Sequence, residues 1–184
     1  MDGAYGKMGE SFLNIKKGFF YALVLLIIGL GTYLAFTVYV SFGPRNAHYL
    51  TVKTTKLDQE KIGNLSLNQS VNVLKPAPTA TKDNSLFEYY TWEYGTTIAT
   101  NFNDDKIIRI IVCESSAFAT SKGIKVGDSK EKVIKAYGND FYKREELGLD
   151  IIGYVDKKLN RTIEFWLTND NKVYFIRLDK GSMN

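Results

Sequence analysis

The chain has one cysteine and one histidine among its 184 residues. A single cysteine, Cys113, excludes any disulfide within the chain. Cys113 and His48 cannot supply a Cys/His zinc cluster, and nothing in the sequence brings them together as a nucleophile pair. Cys113 ends the apolar run "IIRIIVC" and reads as a small buried hydrophobe. There is no basic stripe either. The formal net charge is only +4, and the Lys and Arg residues are interspersed with acids, so nucleic acid is not an expected partner. "KVGDSKEK" lacks the G-x-x-x-x-G-K-[ST] spacing of a phosphate loop. "NFNDDKI" lacks the alternating oxygens and closing glutamate of a calcium loop. Its acids, like Asp170, read as turn residues. No cofactor, no metal and no catalytic residue is expected.

Charge is missing altogether from Gly18 to Pro44, "GFFYALVLLIIGLGTYLAFTVYVSFGP". A bilayer core needs about 20 apolar residues as a helix, and this run supplies them. It is too long for the apolar core of a cleaved signal, and its aromatic end lacks a small-residue cleavage site. An uncleaved anchor is therefore expected in the lipid bilayer. Lys16 and Lys17 abut its start, with Lys7 behind; Arg45, Lys53 and Lys56 follow it. The pair at the boundary favours a cytoplasmic N-terminus. The expected organisation is a short cytoplasmic head at 1–17, a transmembrane helix at 18–43, a juxtamembrane linker at 44–60 and an extracytoplasmic domain at 61–184. Gly31 and Ala35, four apart, would allow a weak association between two copies of the helix.

After the anchor the pattern changes. In "GIKVGDSKEKVIKAYG", Asp128 reads as an N-cap, Glu131 as the third residue of a capping box, and Gly138 as the glycine that ends the helix. Those roles leave the two carboxylates as caps rather than an acid–base pair. Val126, Val133, Ile134 and Tyr137 make one apolar stripe. "DIIGYVD", "RTIEFWLTN" and "KVYFIRLD" follow as three β-rich runs, the last two joined by the turn "TNDNK".

The first half shows the same order. "LSLNQSVNVL" resembles "IKVGDSKEKVI" in outline, and "FEYYTWEYG", "TTIATNF" and "KIIRIIV" then read as strands. Asn103-Asp104-Asp105-Lys106 matches Asn169-Asp170-Asn171-Lys172. An α+β domain of two helix-plus-antiparallel-sheet repeats, at about 61–114 and 122–180, is expected. The polar link between them holds Ser115, Ser116, Thr120 and Ser121. "KPAPTAT", with two of the chain's three prolines, is a loop.

Gly123, Ile124, Gly127, Ser129, Val133, Tyr137 and Gly138 form a pattern that resembles the repeat of the beta-lactamase inhibitor protein family. It is similar also to the outer-membrane assembly lipoproteins of the BamE (SmpA/OmlA) type. The likeness covers about 60 residues, or 120 with the first copy. It implies a non-catalytic bacterial module that binds another protein through a sheet face. This chain differs from both relatives in its spanning anchor and in having no cysteine pair.

One stretch suits such a role. In "LFEYYTWEYG", alternation puts Tyr90, Trp92 and Tyr94 on one face and Phe87 and Tyr89 on the other. Tyr and Trp are favoured interface anchors, so Tyr90, Trp92 and Tyr94 are the candidate binding residues. The function expected is a membrane-anchored protein-binding or scaffold module whose partner the sequence does not specify. A small-ligand receptor or hydrolase on the same scaffold, and a structural subunit of a membrane complex, stay open as alternatives.

Overall fold

A computed structural model describes residues 3–83, 86–102, 104–113 and 118–181, with backbone only for 3–16, 40–47, 49–50 and 82–83. Asn103, Ser115 and Ser116 lie outside the described residues, as do the side chains of Lys7, Lys16 and Arg45. The chain divides into two units, residues 1–47 and 48–184.

Nothing charged interrupts the first apolar run, and it is helical throughout. It belongs to α1, Gly3–Thr51, which continues through Pro44. The 23-residue segment Lys17–Tyr39 is strongly apolar after its first residue, and none of it is buried. As a helix it spans about 35 Å, against about 30 Å for a bilayer core. This segment is long and apolar enough to cross a membrane. Its threonines also satisfy themselves: the Thr32 hydroxyl donates to the Gly29 carbonyl at 2.9 Å and Thr37 to Tyr33 at 2.8 Å. Lipid offers no other partner to such groups.

The second unit is α+β. Its elements are β1 (Thr79–Asp83), β2 (Phe87–Trp92), β3 (Thr96–Asn101), β4 (Ile107–Cys113), α2 (Lys130–Tyr137), β5 (Tyr142–Glu146), β6 (Leu149–Asp156), β7 (Arg161–Leu167) and β8 (Val173–Lys180). The eight strands form one antiparallel sheet in the order β1-β2-β3-β4-β8-β7-β6-β5. Each half thus holds four strands rather than three. The helix expected in the first half is a single 3-10 turn, Val71–Val73.

Strand alternation gives the sheet one greasy face. Ile98, Ile110, Leu178, Ile163 and Tyr154 stand opposite one another across five strands, all fully buried. Over this face pack Val133 and Tyr137 of α2, and Leu57, Ile62, Leu65, Leu67, Val71 and Leu74 of the chain leading into the sheet. Tyr137, Tyr154 and Phe165 meet edge to face or tilted at 5.1 to 6.3 Å, a favourable aromatic geometry. The Tyr154 hydroxyl donates to the Gly138 carbonyl at 2.9 Å and so ties the end of α2 to the sheet.

The cap of α2 differs from expectation by one residue. Ser129, not Asp128, is the N-cap, and its hydroxyl accepts from Lys132 N–H at 3.3 Å. Asp128 is held in the preceding turn, accepting from Lys125 N–H at 2.7 Å and pairing with the Lys132 ammonium at 2.8 Å. Gly127 lies at φ +87°, a left-handed conformation that favours glycine, and this turn moves the cap one place along. Burial pulls the Asp128 carboxyl up, but its bonds to Lys132 and Lys125 outweigh that and hold it below the ordinary value.

Candidate functional site

The three aromatic residues singled out by alternation do not share one exposed surface. Tyr90 is half-buried against the main core, and its hydroxyl donates to Glu88 Oε2 at 3.0 Å. Burial raises its phenol pKa, and Glu88 raises it further. Trp92 is buried, at 8% exposure. Its indole N–H donates to the Pro76 carbonyl at 2.8 Å and its ring stacks on Phe118 at 5.7 Å. Tyr94 lies beyond the strand, at a left-handed position in the turn Glu93–Gly95, and is 61% exposed. Alternation put Tyr90 and Trp92 together correctly, but on the face that the segment 57–74 covers. Phe87 and Tyr89 lie on the other face, against Ala99 and Ile108.

That other face carries a ladder of ions which periodicity alone did not single out. Arg109 of β4 grips Asp179 of β8 with two hydrogen bonds, at 2.8 and 3.2 Å. Arg177 of β8 reaches Asp179 at 3.3 Å and Glu164 of β7 at 2.6 Å. Arg144 of β5 meets both oxygens of Glu164, at 3.0 and 2.9 Å, and also pairs with Glu146. Glu164 accepts in addition from the Tyr142 hydroxyl and from Trp166 N–H at 3.3 Å. The Arg144 and Arg177 guanidinium groups lie 5.2 and 5.4 Å from the Trp166 ring centre, within cation–π range.

Glu164 and Asp179 are wholly buried. Both Glu164 oxygens are occupied by hydrogen bonds, so this carboxylate braces β5, β7 and β8 together. Burial works against the charge on Arg144, but the Glu164 bonds outweigh it and hold its pKa above the ordinary value. Gly153 of β6 completes the face. A Cβ there would collide with the Tyr142 ring. His48 stacks on Tyr142 from the other side, its ring centre 4.7 Å away and 3° from parallel. Burial lowers the His48 pKa, Arg144 lowers it further, and Glu164 opposes both.

A signal for the ladder does exist in the sequence. "RTIEFWL" and "YFIRLDK" flank one short turn, so pairing the hairpin places Glu164 against Arg177. Alternation read one strand at a time does not reveal this. Among the described residues, no three His, Cys, Asp or Glu side chains converge where a metal could be held.

The turns at one end of the sheet hold a second feature. Tyr94 and Leu147 sit at φ +55° and +54°, each followed by a glycine that is also left-handed. The register puts both turns at the same end as the β7–β8 hairpin. Leu147 is 90% exposed. A left-handed backbone costs a bulky residue about 1–2 kcal/mol, and asparagine or glycine normally stands in such a turn.

Comparison with known protein families, with curated proteins and with solved structures finds no match to this chain. The class is therefore set by the architecture alone: one apolar helix able to span a membrane, followed by an α+β domain on an eight-stranded antiparallel sheet.

Proposed function

We propose that this chain is a single-pass, membrane-anchored binding module without catalytic activity. Its domain lies outside the cytoplasm and meets another protein through the rim that carries Tyr94 and Leu147. The observation that carries this reading is that rim. Two bulky residues are held in unfavourable backbone at exposed tips. Tyr94 makes one ring contact, edge-on to Phe118 at 5.4 Å. Local disfavour of this kind is a mark of a functional position.

The domain reads further as a duplicated unit of the kind found in the beta-lactamase inhibitor protein and BamE-type repeats. Matched hydrogen bonds support this. Asn68 N–H donates to Ile107 O as Gly127 N–H does to Val173 O, each at 2.8 Å. Ile107 N–H returns to Gln69 O at 2.9 Å, and Val173 N–H to Asp128 O at 2.8 Å. Val71 N–H reaches Asp105 O at 2.8 Å, and Lys130 N–H reaches Asn171 O at 2.9 Å. Gln69 and Asp128 side chains each accept a backbone N–H three residues earlier. Ser70 and Ser129 each form an isolated bridge to a lysine, Lys106 and Lys172. Asn68, at φ +66°, fills the left-handed place of Gly127, as asparagine does more readily than other side chains.

A photoreactive residue at position 94 or 147, in intact cells, tests the reading. Discrete protein adducts are expected at both positions and not at the exposed helix residue 131. Leu147→Glu should abolish the adduct at 94 while leaving Tm unchanged. Equal labelling at all three positions would overturn the rim as the contact surface. Protease added to intact cells should degrade the domain, and full protection would overturn its placement outside.

A further inference from the structure

Within the second unit, residues 52–61 follow the end of α1 at Thr51 and form no helix or strand of their own. The segment is nevertheless fastened at two places. At the first, Thr55 N–H donates to Val155 O at 2.7 Å, Leu57 N–H to Asp156 Oδ2 at 2.9 Å, and Lys157 N–H to the Thr54 hydroxyl at 3.1 Å. Arg161 donates to the Leu57 and Asp58 carbonyls at 3.2 and 3.3 Å. At the second, the Ser121 hydroxyl accepts from Lys61 N–H at 2.8 Å and donates to the Gln59 carbonyl at 2.7 Å. Ser121 N–H is shared between Lys61 O and Glu60 Oε1, both at 3.0 Å. Leu57 and Glu60 are buried, while Asp58 and Gln59 between them and Lys56 before them are exposed.

We propose that residues 54–61 are a releasable strap on the sheet domain, with the Glu60 side chain as the clasp. Nearly every bond holding the segment is to a residue 60 or more positions away in sequence. It can therefore lift as a unit without breaking a strand pairing, at the cost of uncovering Leu57, in the manner of sub-global opening.

Glu60 suits a clasp because its side chain is buried and its Oε1 takes the Ser121 N–H from the neighbouring loop. Facing it are the Tyr137 hydroxyl of α2, the Lys122 ammonium and Ser121 of the 120–122 loop, and the Lys61 backbone on its own segment. Tyr137 Oη is buried and faces both Glu60 and Thr120. Burial raises the Glu60 pKa, and its hydrogen bonds and Lys122 only partly offset that. The seated form therefore holds the Glu60 proton more tightly than a freed segment would, and rising pH favours release.

Hydrogen exchange on the full chain in lipid nanodiscs tests this. The amides of Thr55, Leu57, Lys61 and Ser121 should be protected and should exchange together, ahead of the sheet amides of Ile110 and Leu178. Corrected for intrinsic rates, their protection should be lower at about pH 8 than at about pH 5, and Glu60→Gln should remove that difference. Ser121→Ala deletes two hydrogen bonds and should lower the protection of this group by about fivefold for each. Exchange of the four amides at free-chain rates would overturn the proposal, because nothing would then be seated. Exchange at the rate of the sheet would overturn it as well, because release would then be unfolding. A pH dependence that survives in Glu60→Gln would remove Glu60 as the clasp.

Discussion

At the scale of single residues, Trp92 shows how a side chain can look like an anchor and act as a support. Its indole fills the gap between Phe118 and the Pro76 backbone. Trp92→Ala should lower stability by about 3–5 kcal/mol, read as a fall in Tm with β-sheet circular dichroism lost in the same transition. An unchanged Tm would mean that the side chain is free for a partner after all. Glu60 gives a prediction of opposite sign. Its folded pKa is raised by burial, so its favourable contribution is complete below the unfolded value and fades as pH rises through the folded one. Glu60→Gln should therefore match wild type in acid and unfold at higher denaturant concentration at neutral pH. Equal midpoints at both pH values would show that burial does not penalise the charge. Neither residue's burial was legible in sequence, because alternation names two faces without saying which is covered. Glu60 lies in a polar linker where no periodicity marks a buried position.

At the scale of elements, the legible parts were those whose pattern is set by burial. β6, β7 and β8 lie in the middle of their half, paired on both sides, and their apolar alternation shows through. β1, "TATKD", and β5, "YKREE", carry no such signal. Both are edge strands, and edges are kept polar and charged to discourage further pairing. The α2 helix was legible as an element but its cap was misplaced, since Asp and Ser side by side are both good caps. Ser129→Ala should cost about 1 kcal/mol, measurable from urea midpoints. A smaller loss than in Asp128→Ala would mean that Asp128 governs the helix start. The β5–β6 turn carries a prediction that separates stability from binding. Leu147→Asn relieves a disfavoured conformation and should raise stability by about 1 kcal/mol. If the rim is the contact surface, the same change should weaken crosslinking at Tyr94. A variant that is less stable would show that Leu147 packs usefully within its own domain.

At the scale of the whole sheet, the two halves meet at one seam, where β4 lies beside β8. Beyond backbone pairing, that seam is held by Ile110 against Leu178 on the core face and by Arg109 against Asp179 on the other. The ion pair joins residues 70 positions apart and is almost wholly buried. Its partners were visible in sequence only as ordinary charges, because strand order, which the sequence does not state, is what brings them together. A buried pair of this kind adds modestly to stability when intact, yet removing one charge strands the other. Asp179→Asn leaves Arg109 and Arg177 facing a neutral amide and should cost about 3–5 kcal/mol. The double variant Arg109→Met, Asp179→Leu should recover much of that loss. Because the seam is shared, the single variant should lower one unfolding transition common to probes in both halves, such as exchange at Ile98 and at Ile163. Two separate transitions, with only the second half displaced, would show that the halves fold independently and that the seam is a contact rather than a shared core.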